Sequence, residues 1–407
     1  MKRHIIKIGI ILGLVWILGV SPSVFAGPDH WVALDWAQEI SQGFLQQATC
    51  DENDNIIVVG HDFNTFQGIV MKQAKSTGEV LWEKRTGGII YAQNYFSVDL
   101  TASGYVLAGG YRHKLNTYER VAYFQKYNPN NGNVLQWKAY ATPSGTQAYC
   151  NNIIVNGDYT YATLNVKDLA SGYGQGILLK LDTSTLNVVG SLIRSSPVQF
   201  FYDVTVDSQG YILVAGVYVN TRVESGYDTF ILRCDSSLNV IDEYILSCFS
   251  AIYDRPNALT VDGQNNIFVA GTKIIDGEYY PYLVKLSSSG TILWQQESTS
   301  GWAVPTGEFR DVAMRYNNVI VAHVNTPFNT QGEEVDAFHA VMYNGGTGSQ
   351  MLSIINENEL NDPYNNYESH GVAVDSTGAI IVCGFLDKDP QPQGLSKMVT
   401  RRYITNY

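Results

Sequence analysis

The chain has 407 residues, 45% of them hydrophobic and 16% charged, with a formal charge of −12. That acidity argues against nucleic acid or another polyanion as partner, because nothing offsets the phosphate repulsion. Gly, Tyr, Val, Thr, Ser and Asn abound and no long helical periodicity follows the first residues, so an all-β class is expected.

The N-terminus reads as an export signal. Lys2, Arg3 and Lys7 precede an apolar run of 13 residues, Ile8 to Val20, and Val24-Phe25-Ala26 supplies a cleavage site before Gly27. The run is short for a membrane span, no Cys follows it, and no second apolar stretch is long enough to cross. Residues 1–26 are expected to be a secretory signal peptide. Residues 27–407 are expected to form one soluble, monomeric domain outside the cytoplasm, secreted or periplasmic.

After the signal comes VALDWAQEIS, Val32 to Ser41, and then a diverged repeat. Its copies are TCDENDNIIVVG ending at Gly60, VDLTASGYVLAGG at Gly110, IIVNGDYTYATL at Leu164, VTVDSQGYILVAG at Gly216, LTVDGQNNIFVAG at Gly271, VAMRYNNVIVAH at His323 and VAVDSTGAIIVCG at Gly384. Each reads as two strands around a tight turn. Two more strands follow most copies, as in PYLVKLSSSGTILWQQ, with a basic residue at a fixed place: Lys72, Lys126, Lys180, Arg233 and Lys285. The spacing suits one four-stranded blade per copy. The last copy lacks its fourth strand, and VALDWAQEIS matches TILWQQESTS, with Trp36 over Trp294. The expected fold is therefore a single seven-bladed β-propeller of four-stranded antiparallel blades, its last blade closed by the N-terminal strand.

The VDSQGYILVAG, VDGQNNIFVAG and VDSTGAIIVCG segments, with YLVKLSSSGTILW, resemble the bacterial β-propeller repeat family of SBBP type. The resemblance covers nearly all of the mature chain. It implies a propeller scaffold, often extracellular, and no particular ligand. AKSTGEVLWEK, Ala74 to Lys84, also resembles a quinoprotein-type propeller repeat, locally and without an adjacent Cys pair. No WD series, sialidase box or kelch pattern is present.

Cys50, Cys150, Cys234, Cys248 and Cys383 are an odd set, and no Cys/His spacing suggests a metal site. Cys50 and Cys383 occupy Val or Ala columns of the repeat and read as small core residues. All five thiols are expected free, with one disulfide as the competing reading.

Short turns such as DSQG and SSSG fall on one face and long loops on the other, so any binding belongs to the long-loop face. That face is rich in aromatics: Tyr91, Tyr95, Phe200, Phe201, Tyr202, Tyr253, Tyr279, Tyr280, Trp302, Phe309, Tyr364 and Tyr367. The residues opening each inner strand are expected at a central channel mouth: Gln46/Gln47, Phe96/Ser97, Asn151/Asn152, Tyr202/Asp203, Asn257/Ala258, Arg310/Asp311 and His370/Gly371. The candidate binding set is Tyr202, Asp203, Tyr280, Trp302, Arg310, Asp311, Tyr367 and His370. No catalytic or metal residue is assigned. No cofactor is expected; Ca²⁺ on the acidic loops Glu333–Asp336, Glu357–Asp362 and Asp387–Asp389 is an alternative, a solvated acidic face the favoured reading.

The leading expectation is a non-enzymatic binding protein for a protein or glycan partner. The alternatives are an extracellular polysaccharide hydrolase or lyase at the channel mouth, and a purely structural surface module.

Overall fold

The computed structural model describes residues 32–88, 90–114, 119–171, 174–195, 199–220, 226–246, 253–275, 277–297, 307–325, 339–355, 365–388 and 396–405. The signal segment 1–26, Trp302, Tyr364, Cys248, Asp389 and the acidic stretches 333–336 and 357–362 lie outside them. The described residues form 28 strands and no helix.

β1 (Val32–Gln42) precedes a sheet of β2 (Phe44–Cys50), β3 (Ile56–Asp62), β4 (Gln67–Gln73) and β5 (Val80–Gly87). An eight-stranded sheet follows: β6 (Tyr91–Leu100), β7 (Val106–Lys114), β8 (Arg120–Tyr127) and β9 (Val134–Tyr140), then β10 (Thr146–Asn156), β11 (Tyr159–Asp168), β12 (Gly174–Asp182) and β13 (Val188–Arg194). A second has β14 (Gln199–Val206), β15 (Ile212–Asn220), β16 (Gly226–Cys234) and β17 (Val240–Leu246), then β18 (Tyr253–Val261), β19 (Ile267–Ile275), β20 (Glu278–Leu286) and β21 (Ile292–Glu297). Next come β22 (Gly307–Arg315), β23 (Asn318–Asn325), β24 (His339–Asn344) and β25 (Gln350–Ile355), and finally β26 (Asn365–Val374), β27 (Ile380–Lys388) and β28 (Lys397–Thr405). Each eight-stranded sheet is two antiparallel four-stranded units joined by one parallel pair, Gln147 with Arg120 or Tyr227 with Tyr253.

The first strands β2, β6, β10, β14, β18, β22 and β26 touch one another in that order, and β26 touches β2, which makes a ring. β1 pairs antiparallel with β28, Val32 opposite Thr405, and so supplies the fourth strand of the last sheet. The architecture is all-β and β-propeller-like.

The hairpins follow from side-chain chemistry. Asp207 Oδ1 accepts the Gln209 and Tyr211 amides at 2.9 Å, and Asp51, Asp262 and Asp375 make the same turn. Apolar residues then pack between adjacent sheets: Leu45, Val58, Ile69 and Met71 lie against Ala373, Ile381, Cys383 and Met398. Cys150, Cys234 and Cys383 are buried free thiols and Cys50 is half-buried. Burial pushes the Cys50 thiol up to about 12 and Cys234 to about 11.

Four of the five recurring basic residues are ties between units, while Arg233 bonds to Gln209 and Asp242 within its own. Lys72 Nζ donates to Pro129 O at 3.2 Å, Lys126 to Thr183 O at 3.2 Å, Lys180 to Ser236 O at 2.6 Å and Lys285 to Gly345 O at 2.8 Å. Three tryptophans act likewise. Trp36 Nε1 donates to Lys75 O at 2.8 Å, Trp82 to Pro129 O at 3.0 Å and Trp294 to Gly345 O at 3.2 Å. Trp36 thus repeats the role of Trp294 two units later.

The aromatic face is corrected in part. Tyr95, Phe201, Phe309 and Tyr367 are buried between sheets, because their rings fill the space where the units converge. Tyr91 and Tyr279 are exposed.

Candidate functional site

A regular strand sends consecutive side chains to opposite faces. In every first strand the pairing slips by one residue, and the skipped residues are Gln46, Phe96, Asn151, Tyr202, Asn257, Arg310 and His370. A bulge of this kind re-aims a side chain. Here it turns the skipped residue and, in most units, its successor toward the ring axis. The residue opposite each slip is the last of the repeat motif, usually Gly. A Cβ on Gly60, Gly110 or Gly384 would lie 1.8–1.9 Å from the carbonyl oxygen of Phe44, Asn94 or Glu368, so in these units glycine lets the bulged strand come this close.

All the skipped residues line one cavity of about 430 Å³, with Gln47, Asn152, Asp203, Arg255, Ala258 and Asp311. Of the candidate set, Tyr202, Asp203, Arg310, Asp311 and His370 converge there. Tyr280 sits half-buried on β20, away from the lining, and Tyr367 is buried in the core. Arg255 was not anticipated. It stands two residues before the bulge at Asn257, the column that holds Glu308 and Glu368 in later units, so the repeat alignment contained its signal.

Charged groups are organised behind the rim. Glu308 lies between two guanidiniums: Arg310 Nε is 2.7 Å from Oε2 and Arg255 is 3.3 Å from Oε1. The Arg255 guanidinium also lies 5.9 Å from the Tyr202 ring centre. His370 Nδ1 is 3.1 Å from Gln46 Oε1 and Nε2 is 3.0 Å from Glu368 Oε2. Burial and Arg310 hold the imidazole below its ordinary range against the pull of Glu368. Burial would raise Glu368, but the His370 bond and the positive charges hold it low. Asn151 Nδ2 donates to Phe201 O at 2.6 Å and Asn257 Nδ2 to Phe309 O at 2.7 Å, fixing both amides across seams.

Below them are carboxylates used as staples. Asp203 accepts the Val204 amide at 2.7 Å and, across a seam, the Leu259 amide at 2.5 Å. Asp311 accepts Val312 at 2.8 Å and Val372 at 2.9 Å. Burial pushes Asp203 up to about 8, with Asp311 nearby adding to it, and pushes Asp311 up to about 7. A second cavity of about 330 Å³ continues below and shares Gln47, Asn152, Asp203 and Asp311 with the first. Among the described residues no group of three or more His, Cys, Asp or Glu is gathered as a metal site, and no helix is long and apolar enough to cross a membrane.

No family model matches the chain, and no curated protein matches it in sequence. In structure it is similar to a protein of unknown function from Dyadobacter fermentans DSM 18053, at 11% identity over 91% of this chain and 98% of that one, with a TM-score of 0.52. It is similar to the polysaccharide lyase Uly1, at 8% identity over 88% of this chain and 89% of that one, TM-score 0.54. It is also similar to puromycin hydrolase, at 10% identity over 87% of this chain, TM-score 0.51; the chain spans about half, 51%, of that protein's length. At such identities the likeness is one of fold.

Proposed function

We propose that this chain is an exported seven-bladed β-propeller that binds a polar ligand, a glycan or a protein segment, in the cavity over its central channel. The observation that carries this reading is the bulge repeated in every first strand. A device that only held the ring together would serve with equivalent small residues. Instead its seven copies present four kinds of group: amide, aromatic, guanidinium and imidazole. Few convergent polar groups in a concave site are the usual mark of ligand recognition. The blade count is supported by the grouping of 28 strands into units of four and by β1 completing the last sheet. Residues 1–26 support export, and the SBBP-type segments support a repeat scaffold of extracellular kind. The cavity replaces the aromatic loop face as the centre of binding, since several of that face's rings are buried.

The test is a thermal-shift and calorimetric screen of glycans and peptides, with Ca²⁺ and with chelator, on the wild type and on Arg310→Gln and His370→Gln. A ligand that stabilises the wild type and binds both variants at least about tenfold more weakly supports the site. A ligand indifferent to both substitutions removes it. No ligand and no melting change would favour the purely structural module.

A second reading, a lyase acting on an acidic polysaccharide, is favoured by one observation. Arg255, Arg310, His370 and Tyr202 share the cavity, which brings cations for a sugar carboxylate beside proton-transfer groups. Carboxylate-pair hydrolysis has less support, because Asp203 and Asp311 each commit both oxygens to backbone amides. Ultraviolet absorbance of an unsaturated product, lost in His370→Gln, would establish the lyase.

A further inference from the structure

The two seams bridged by parallel strand pairs each carry a row of rings leading outward from the cavity. On the first, Phe96 lies 5.6 Å from Tyr111, and Tyr111 lies 5.3 Å from Tyr149. The Arg120 guanidinium stands over both tyrosines, 4.8 and 5.2 Å from their centres, and donates to Tyr149 Oη at 2.8 Å. On the second, Tyr202 interacts with Tyr253 through their hydroxyls, and Tyr253 lies 4.8 Å from Tyr227, with Arg255 beside Tyr202. Tyr111 is buried, and the other rings of both rows are half-buried.

Charge distinguishes the first row. The chain carries a formal charge of −12, yet among the described residues no carboxylate lies within ion-pair distance of Arg120. Its neighbour Glu119 is engaged elsewhere, by Ser144 and the Gly145 amide. A guanidinium held beside tyrosine rings without an acid keeps donors for an incoming anion. In an acidic protein such a cation also lessens the repulsion of an acidic polymer.

We propose that the first row is a set of subsites for an extended acidic oligosaccharide, one bearing carboxylate groups, whose inner residue sits in the cavity and whose chain runs out over the half-buried Phe96 and Tyr149, past Arg120, with Tyr111 packed beneath as their support. Sugar rings present an apolar face to an aromatic ring and polar edges to amides and hydroxyls, and Tyr meets both demands. The proposal rests on the cavity reading above.

Isothermal titration with galacturonate, hexagalacturonate, neutral maltohexaose and hexaglutamate tests both levels. Hexagalacturonate should bind at least about tenfold more tightly than galacturonate and than maltohexaose, and weaken with added salt. Arg120→Gln and Tyr149→Ala should abolish the chain-length gain and leave galacturonate affinity unchanged, whereas Arg310→Gln should weaken both acidic sugars. Arg120→Lys, which keeps the charge and loses the planar fork, should recover part of the gain and guards against a folding defect, read from its melting curve. Galacturonate binding that depends on Arg310 without a chain-length gain, or a gain that survives Arg120→Gln, overturns the row alone. Hexaglutamate binding as tightly as hexagalacturonate overturns the assignment to sugars. Absence of all binding overturns the row and the cavity together.

Discussion

Asp203 shows how a single side chain serves two ends. Its oxygens staple β14 to β18 by accepting amides from both strands, and its burial at the channel favours the protonated form, up to about 8 against an ordinary 3.8. Between those values the folded protein holds a proton that the unfolded chain has released. Raising the pH through that window therefore removes stability. Asp311, raised to about 7, and Asp254, raised to about 8 by burial, act in the same direction. The melting temperature is expected to fall from pH 6.5, above the range in which the buried histidines act, to about pH 8, and Asp203→Asn, destabilised by the lost acceptor, should show a shallower fall. An equally steep pH profile in the variant would show that Asp203 does not titrate there. The buried His61 works from the other side. Burial lowers it to about 4, so stability is lost as pH drops from the ordinary histidine range toward that value. In the sequence Asp203, Arg310, Asp311 and His370 were legible as channel residues because each opens an aligned strand. The partnership across the seam, Arg255 with Glu308, was not, since nothing in one repeat says which neighbour's charge it will face.

At the scale of the strand, the repeat was legible because Asp turns and alternating apolar residues recur in fixed columns. The bulge was less so. A slip of one residue leaves the hydrophobic pattern nearly intact, and its signature is the motif-final glycine, explained only when the backbone opposite it is seen. Gly110→Ala would put a Cβ 1.9 Å from Asn94 O and should cost about 3 kcal/mol in urea unfolding. Native-like stability would mean that β6 relaxes freely at Phe96. Gly78 tests the ties between units. A Cβ there would meet the Trp36 ring at 2.5 Å, and its φ of 71° already disfavours a side chain. Gly78→Ala should therefore lower stability by about 1–3 kcal/mol. Trp82→Phe, which loses the bond to Pro129 O, should cost about 1 kcal/mol. Leu164 and His323 stand where the other motifs end in glycine, and their strands still slip, so glycine eases the bulge without being its sole cause.

For the whole molecule, the pairing of β1 with β28 governs integrity. Arg402 of β28 contacts Asp35 of β1 and is 2.6 Å from Asp375, which joins the two ends of the chain electrostatically as well as through the sheet. Asp54 completes the ring by accepting the Ser376 amide and hydroxyl at 2.8 Å. Removing Val32–Gln42 exposes β28 as an unpaired edge and uncovers the core beneath Trp36. The truncated protein is expected to unfold or to oligomerise through that edge, read by size-exclusion chromatography and melting. A monomer with unchanged melting would show the strand to be dispensable. The match of VALDWAQEIS to TILWQQESTS carried this feature in the sequence. The radial rows of rings were not legible, because they arise from residues on neighbouring units that no single repeat brings together.

The same pairing sets the order in which the molecule comes into being. The first strand has its hydrogen-bonding partner at the far end of the chain, made last. Until then Trp36 can dock on the turn of the next sheet but β1 has no neighbour of its own, and the ring stands open. Closure is thus a late, long-range event that waits for complete synthesis, and contacts of such separation are slow to form. Under the export proposed above, this order would keep the chain from locking shut before it crosses the membrane.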